Sequence, residues 1–220
     1  MAILTPVHWQ TVTPQMRDVI DFLGNQDFMQ DFYLAGGTAL ALREGHRISV
    51  DLDFFSATIE VTGRTRQDIV QSLSSHRVQV LENVDGNLLL TLKNLRVGFF
   101  GYGYPMLATT DSINGVAVAS LSDIGLMKLD ALISRGSRKD FYDLYVIAQH
   151  ISLAELLILG QTKYPYTKDF ALMAIESLVL FDNADRDLQP QLLIDLTWSE
   201  VRAFFIAEAH QLDREWFGDQ

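Results

Sequence analysis

Two aspartates, Asp51 and Asp53, stand two positions apart in the β-branched and aromatic run ISVDLDFF at residues 48–55. Residues so spaced on a strand project to one face, so the pair is expected opposite Val50, Leu52 and Phe54, with Cα atoms roughly 6.6 Å apart. Facing carboxylates repel, and protonation or a bound cation relieves the conflict. Magnesium suits a hard, all-oxygen pair and is commonly shared with substrate phosphates. The alternative is a solvated strand edge or turn-like aspartates, which the low frequency of Asp in strands weighs against. Upstream, Gly36-Gly37-Thr38 follows an apolar run and precedes a short helical pattern. Glycines admit close backbone approach, and amides opening a helix favour an anion, so this is a candidate phosphate cradle. An ordinary tight strand-to-helix turn is the competing reading. No Gly-Lys-Ser/Thr follows, which excludes a P-loop, and Gly101-x-Gly103 lacks the third glycine of a dinucleotide fingerprint. Arg47 is a candidate phosphate ligand, since guanidinium pairs well with phosphate oxygens. His46 beside it either touches phosphate or packs against the turn.

A second cluster lies in LMKLDALISRGSRKDFYDLY, residues 126–145. Lys128 and Arg135, seven apart, share a helix face, and Asp140 and Asp143, three apart, are neighbours on the next helix. Cations of this kind stabilise charge that develops during phosphoryl or nucleotidyl transfer. Three bland readings compete here. Lys128 could be a surface lysine, Asp140 the third residue of a capping box opened by Ser137, and Lys139 with Asp143 an exposed pair. His8, His76, His150 and His210 show no metal-ligand spacing, which weighs against a histidine-based phosphohydrolase. Met127 and Met173 sit at helical core spacing and carry no expected function.

The elements that must position these groups divide into two kinds. Thr13 is a candidate N-cap with Pro14 in the first turn of a helix to Leu23. A short strand at 32–35, a helix at 38–44 closed by Gly45, and a strand at 48–55 follow. After a helix at 67–75, three strands are expected in RVQVLE, NLLLTLK and LRVGFFGY, with turns at Asp85-Gly86-Asn87 and Lys93-Asn94. From Ser120 onward the patterns are helical, including a capping box at Thr197 and Glu200. The expected organisation is α+β: an α/β domain over 1–115 and a helical domain over 116–220 that completes a cleft.

Composition limits the function classes. A chain of 220 residues that is 48% hydrophobic can bury a sizeable core. A formal charge of −11 argues against a broad nonspecific nucleic-acid binder, yet leaves room for a small basic pocket or a basic partner. The absence of cysteine excludes disulfides and thiolate zinc sites and fits a cytoplasmic location. No apolar run reaches membrane-spanning length, and MAILTPVHWQ lacks the pattern of a signal peptide, so no membrane association is expected.

Together, LAGGTALAL…GHRISVDLDFFS and LMKLDALISRGSRKDFYDLYVI resemble the AbiEii/AbiGii toxin family of nucleotidyltransferases, a branch of the DNA polymerase β superfamily. The resemblance spans roughly residues 30 to 150. It implies a polymerase β-like mixed sheet flanked by helices and followed by a helical bundle. It further implies metal-assisted transfer of a nucleoside monophosphate from a nucleoside triphosphate to an acceptor such as tRNA or protein. Mg2+ or Mn2+ would assist, and a cognate antitoxin is an implied partner. By this resemblance Asp51 and Asp53 hold metal, while Lys128 and Asp143 complete the catalytic set. Thr38 with Gly36 and Gly37 cradles phosphates, and Arg47, Arg135 and Asp140 are further nucleotide-binding candidates. The chain departs from the family in LRVGFFGYGYPML, where Gly98 stands in place of a third carboxylate. That departure supports an alternative, a catalytically weakened or inactive nucleotide-binding scaffold, with Asp143 as the named substitute. Asp85 and Asp111 are expected in turns. Phe99, Phe100, Tyr102 and Tyr104 are either core and rim or a stacking surface for a base.

Overall fold

In the computed structural model, which describes residues 1–218, the chain forms two units, Met1–Ser120 and Leu121–Gln220. The first is built on an eight-stranded mixed sheet in the order β1-β7-β8-β2-β3-β6-β5-β4. In chain order these are β1 (Ala2–Ile3), β2 (Tyr33–Leu34), β3 (Leu52–Ser56), β4 (Val78–Val84), β5 (Asn87–Leu92), β6 (Leu95–Gly101), β7 (Asp111–Ile113) and β8 (Val116–Val118). The helices of this unit are α1 (Pro14–Leu23), α2 (Gly36–Glu44) and α3 (Gly63–Leu73). Thr13 caps α1 by accepting from the Met16 amide, and Pro14 opens it, as the sequence pattern predicts.

Strand alternation sorts the central sheet into two faces. Leu52, Phe54, Leu88, Leu90, Val97 and Phe99 are fully buried, and Phe54 stacks on Phe99 with ring centroids 5.4 Å apart. Asp53, Phe55, Gly98 and Phe100 alternate with them and therefore lie on the other face. Strands β3 and β6 run parallel, with Asp53 beside Gly98 and Phe55 beside Phe100. The β5–β6 hairpin turns through Lys93 and Asn94, both with positive φ (52° and 65°), the pairing a tight primed turn requires.

The β7–β8 hairpin escapes the sequence patterns described above, and it turns on Asn114-Gly115 with φ of 49° and 85°. Its second strand, β8, pairs in parallel with β2. The division expected near residue 115 therefore falls after Ser120, because residues 116–118 belong to the sheet.

The second unit contains α4 (Leu121–Ser134), α5 (Arg138–Ala148), α6 (Leu153–Lys163), α7 (Phe170–Ser177), α8 (Asp182–Arg186) and α9 (Trp198–Phe217). Helix α4 packs on α5, α6 and α7, while α5 also packs on α8 and α9. Phe141 on α5 anchors an aromatic cluster with Phe181, Trp198 and Phe205, at centroid distances of 5.1, 5.6 and 5.3 Å. Gly125 lets α4 and α6 close together, since a Cβ there would stand 3.0 Å from the Leu156 methyl carbons. The capping box at Thr197 and Glu200 opens α9 in both directions. Among the described residues no single helix is long and apolar enough to cross a membrane.

Candidate nucleotide and metal site

In the first unit, the strand-to-helix connection after β2 is tighter than the expected glycine turn. Helix α2 begins at Gly36 itself, whose φ of +65° reverses the chain out of β2. Its N-cap, Ala35, supplies no side-chain cap among the described residues. The N-cap side chain therefore leaves the first turn of α2 uncapped, an arrangement that favours an anion. The positive φ accounts for Gly36 and a close contact accounts for Gly37. A Cβ on Gly36 would meet Asp53 Oδ2 at 3.7 Å, so the carboxylate lies directly against the turn. A Cβ on Gly37 would fall 2.2 Å from Arg47 Nη2, so the guanidinium occupies the space that only glycine leaves open. Arg47 is buried (5% exposed) and donates through Nη1 to the Ile48 carbonyl at 3.1 Å.

Thr38 is also buried, and its hydroxyl points inward. It hydrogen-bonds with the Ser49 hydroxyl at 2.7 Å and donates to the Asp51 carbonyl. These bonds tie the first turn of α2 to the chain entering β3, so Thr38 fixes where Asp51 emerges. Ser49 is a partner that the sequence reading does not single out; its signal is the same spacing of two that links Asp51 to Asp53.

The structure corrects the strand that carries the aspartates. Regular pairing starts at Leu52, so Asp51 precedes β3 instead of lying within the strand expected from residue 48. The Thr38 and Ser49 bonds replace ladder bonds at that point. Both carboxylates remain partly accessible, unlike the neighbouring Leu52 and Phe54. Arg96 on β6, two residues before Gly98 and so on the same face, brings Nη1 to 3.8 Å from Asp51 Oδ2.

Gly98 is the lateral partner of Asp53, and a Cβ there would lie 3.2 Å from Asp53 Oδ1. A side chain at position 98 would thus join the aspartate pair, as the resemblance implies. The space is filled by Phe100, whose ring carbons would stand 2.4 Å from that Cβ. Phe100 leans on Phe55 (5.2 Å), which meets Tyr102 (5.7 Å), and Tyr102 meets Tyr104 (5.2 Å). Phe99 belongs to the opposite, buried face. The two expectations for these aromatics therefore divide by strand parity, with Phe99 in the core and the rest along the partly exposed face.

Two carboxylates and a phosphate-ready turn suit a hard divalent cation whose remaining ligands come from substrate and water. Among the described residues no group of three or more His, Cys, Asp or Glu side chains could hold a metal by itself. The donor set fits an ion that arrives with its nucleotide, and Asp51 and Asp53 are the residues that would hold it.

In the second unit, Lys128, Arg135, Asp140 and Asp143 form one cluster. Lys128 Nζ lies 2.8 Å from Asp140 Oδ1 and 2.5 Å from Asp143 Oδ2, with all three side chains at most 5% exposed. Arg135, just beyond α4, reaches Asp140 with Nε at 2.9 Å and Nη2 at 3.0 Å. Burial opposes ionisation of Asp140, yet Lys128 and Arg135 outweigh it and hold the carboxyl below its ordinary value. The bland readings of this segment do not survive. Lys128 is not a surface lysine, and Asp143 is no exposed partner of Lys139. Ser137 makes no side-chain cap among the described residues, and the Asp140 side chain is turned inward to the cations instead of back to the Ser137 amide. A second buried pair, Lys163 with Asp123 at 2.7 Å, links α6 to α4 and has no counterpart in the sequence reading. Asp85 pairs with Arg66 at 2.9 Å beside its turn, whereas Asp111 opens β7 and pairs with Arg43 at 2.8 Å. The turn expected at Asp111 is therefore a strand end held by an ion pair.

Comparison with known proteins gives a consistent picture. The family model of the AbiEii nucleotidyl transferase toxin, from type IV toxin–antitoxin systems, matches residues 17–93. That span holds the α2 turn, Arg47 and both aspartates. An uncharacterized protein of Aquifex aeolicus (strain VF5), aq_aa25, is 36% identical over 198 residues, covering 87% of this chain and 92% of its own. Among solved structures, the nucleotidyltransferase toxin MenT4 of Mycobacterium tuberculosis H37Rv aligns with a TM-score of 0.61 at 15% identity, covering 90% of this chain and 82% of its own. The crystal structure of ANT(2'')-Ia with adenylyl-2''-tobramycin aligns at 0.54 and 15% identity, covering 70% of this chain and 98% of its own. At such identities the likeness to the solved structures is one of fold, and that fold is the α+β nucleotidyltransferase architecture.

Proposed function

The chain belongs to the AbiEii nucleotidyltransferase toxin family, and on that premise we propose that it transfers a nucleoside monophosphate from a nucleoside triphosphate to an acceptor hydroxyl. The observation that carries this reading is the meeting of Asp53 with the α2 turn, its Oδ2 being 3.7 Å from the Gly36 Cβ position. One carboxylate thereby borders the amides that would take phosphate oxygens. Asp51 and Asp53 would hold a divalent cation, Mg2+ or Mn2+, which would offset phosphate charge and polarise the α-phosphorus. Gly36, Gly37 and Thr38 present backbone amides to the phosphates, and Arg47 lies against that turn. The acceptor hydroxyl attacks the α-phosphorus and releases its proton to solvent, the bond to the bridging oxygen breaks, and pyrophosphate leaves. The same reading assigns Lys128 and Asp143 to the reaction, with Arg135 and Asp140 as nucleotide-binding partners. That assignment rests on the resemblance, since within the helical unit Lys128, Asp140 and Asp143 are buried and paired with one another, and Arg135 with Asp140. An RNA such as tRNA, or a protein hydroxyl, is the proposed acceptor, and an antitoxin is the proposed partner.

The test is calorimetry with each of the four ribonucleoside triphosphates and Mg2+, followed by labelled-nucleotide transfer to total RNA and to protein. Wild type should bind at least one triphosphate and label an acceptor, and Asp51→Ala should do neither. Absence of binding for all four would overturn the reading. Gly98 under the Phe100 ring favours a second reading, a nucleotide-binding scaffold without turnover. Tight binding with no labelling of either acceptor class would select it.

A further inference from the structure

We propose that this site takes a single divalent cation and that the Arg96 guanidinium, in addition to Arg47 at the α2 turn, supplies the positive charge a second ion would bring. The inference rests on the nucleotide reading above and concerns how the site is charged. Three observations point the same way. Position 98, the one beside Asp53 on the neighbouring strand, carries no side chain. Its space is taken by the Phe100 ring, so the wall there is apolar and offers no oxygen to an ion. On the same face, Arg96 Nη1 lies 3.8 Å from Asp51 Oδ2.

Stability does not explain Arg96. Its side chain is 55% exposed and that of Asp51 31%, and an ion pair so open to water adds little to folding. Two carboxylates are neutralised by one divalent ion, and a triphosphate then brings further negative charge. A guanidinium is permanently charged, needs no carboxylate ligands and pairs bidentately with phosphate oxygens. It can therefore do at a two-carboxylate site what a second ion does only where a third carboxylate helps hold it.

Manganese stoichiometry tests this without turnover. Wild-type protein, saturated with a non-hydrolysable α,β-methylene triphosphate, is titrated with Mn2+ and followed by electron paramagnetic resonance. The expected result is one Mn2+ per chain, counting the ion that enters with the nucleotide. Two ions per chain with intact nucleotide binding would overturn the inference and leave the nucleotide reading standing. Arg96→Met should keep one Mn2+ but weaken the analogue at least about ten-fold, the scale of a lost charge-assisted bond. Arg96→Lys should recover part of the loss. Unchanged affinity in Arg96→Met would also overturn the inference. If no analogue binds to wild type, the nucleotide reading itself fails, and this inference falls with it.

Discussion

Replacing Lys128 by Met keeps the length of the side chain and removes its charge. Asp140 and Asp143 are then left facing each other with side chains 0% exposed, against 5% for the lysine they lose. Asp140 keeps Arg135 at 2.9 Å, while Asp143 loses its 2.5 Å pair with Lys128. Breaking a buried pair from one side destabilises by about 3–5 kcal/mol, well above the ~0–1 kcal/mol of a surface pair. With a urea slope near ~2 kcal/mol/M, the midpoint should fall by about 1.5–2.5 M. Circular dichroism at 222 nm, dominated by the helices, is a direct readout. The pH dependence supplies a second arm. Asp140 has a folded value held below its ordinary one, so its contribution is complete above about pH 4 and lost as pH falls through that depressed value. In Lys128→Met the carboxyls gain from protonation, so the variant's deficit should shrink toward acid pH. Lys128→Met/Asp143→Asn should recover part of the stability, giving a non-additive cycle. A midpoint shift below about 0.3 M at neutral pH, or strict additivity in the cycle, would refute a buried cluster held by Lys128.

Two further perturbations probe the first unit. Gly98→Ala places a methyl 2.4 Å from the Phe100 ring and should destabilise by about 1–3 kcal/mol, whereas Gly98→Ala/Phe100→Ala should lose less than the single changes summed. Denaturant titration of the two singles and the double measures that coupling, and a Gly98→Asp chain should need the Phe100 change as well to gain labelling activity. Thr38→Val removes a buried hydroxyl bonded to Ser49 and the Asp51 carbonyl, leaving those groups short of a partner at a cost of about 1–3 kcal/mol. Calorimetry should show weaker triphosphate binding in the same variant, because the chain at Asp51 loses its tether to α2.

Much of the framework was legible in local pattern. Thr13-Pro14, Lys93-Asn94 and Thr197–Glu200 each carry their own stereochemistry, so the ends of α1, the β5–β6 turn and the start of α9 follow from a few neighbouring residues. The Asn114-Gly115 turn carried a signal as strong, and the β7–β8 strands around it are only three residues each, too short for periodicity to show. For the same reason the sheet unit runs to Ser120, a few residues past the expected 115, since β8 joins the sheet through β2, more than eighty positions earlier in the chain.

The residue types at the site, and their family resemblance, were determined by sequence alone: Gly36-Gly37-Thr38, Asp51, Asp53, Lys128, Asp140 and Asp143 are all readable in order. Their partners were not. That Arg47 fills the space over Gly37, that Phe100 fills the space over Gly98, and that Arg96 approaches Asp51 depend on which strands and turns lie side by side. Likewise, Ser137-x-x-Asp140 reads as a helix cap by spacing, yet Lys128, twelve residues earlier than Asp140, draws the carboxylate into the interior. Local rules act over three or four residues, whereas the burial and charge that set a carboxylate's role come from groups brought close only by folding.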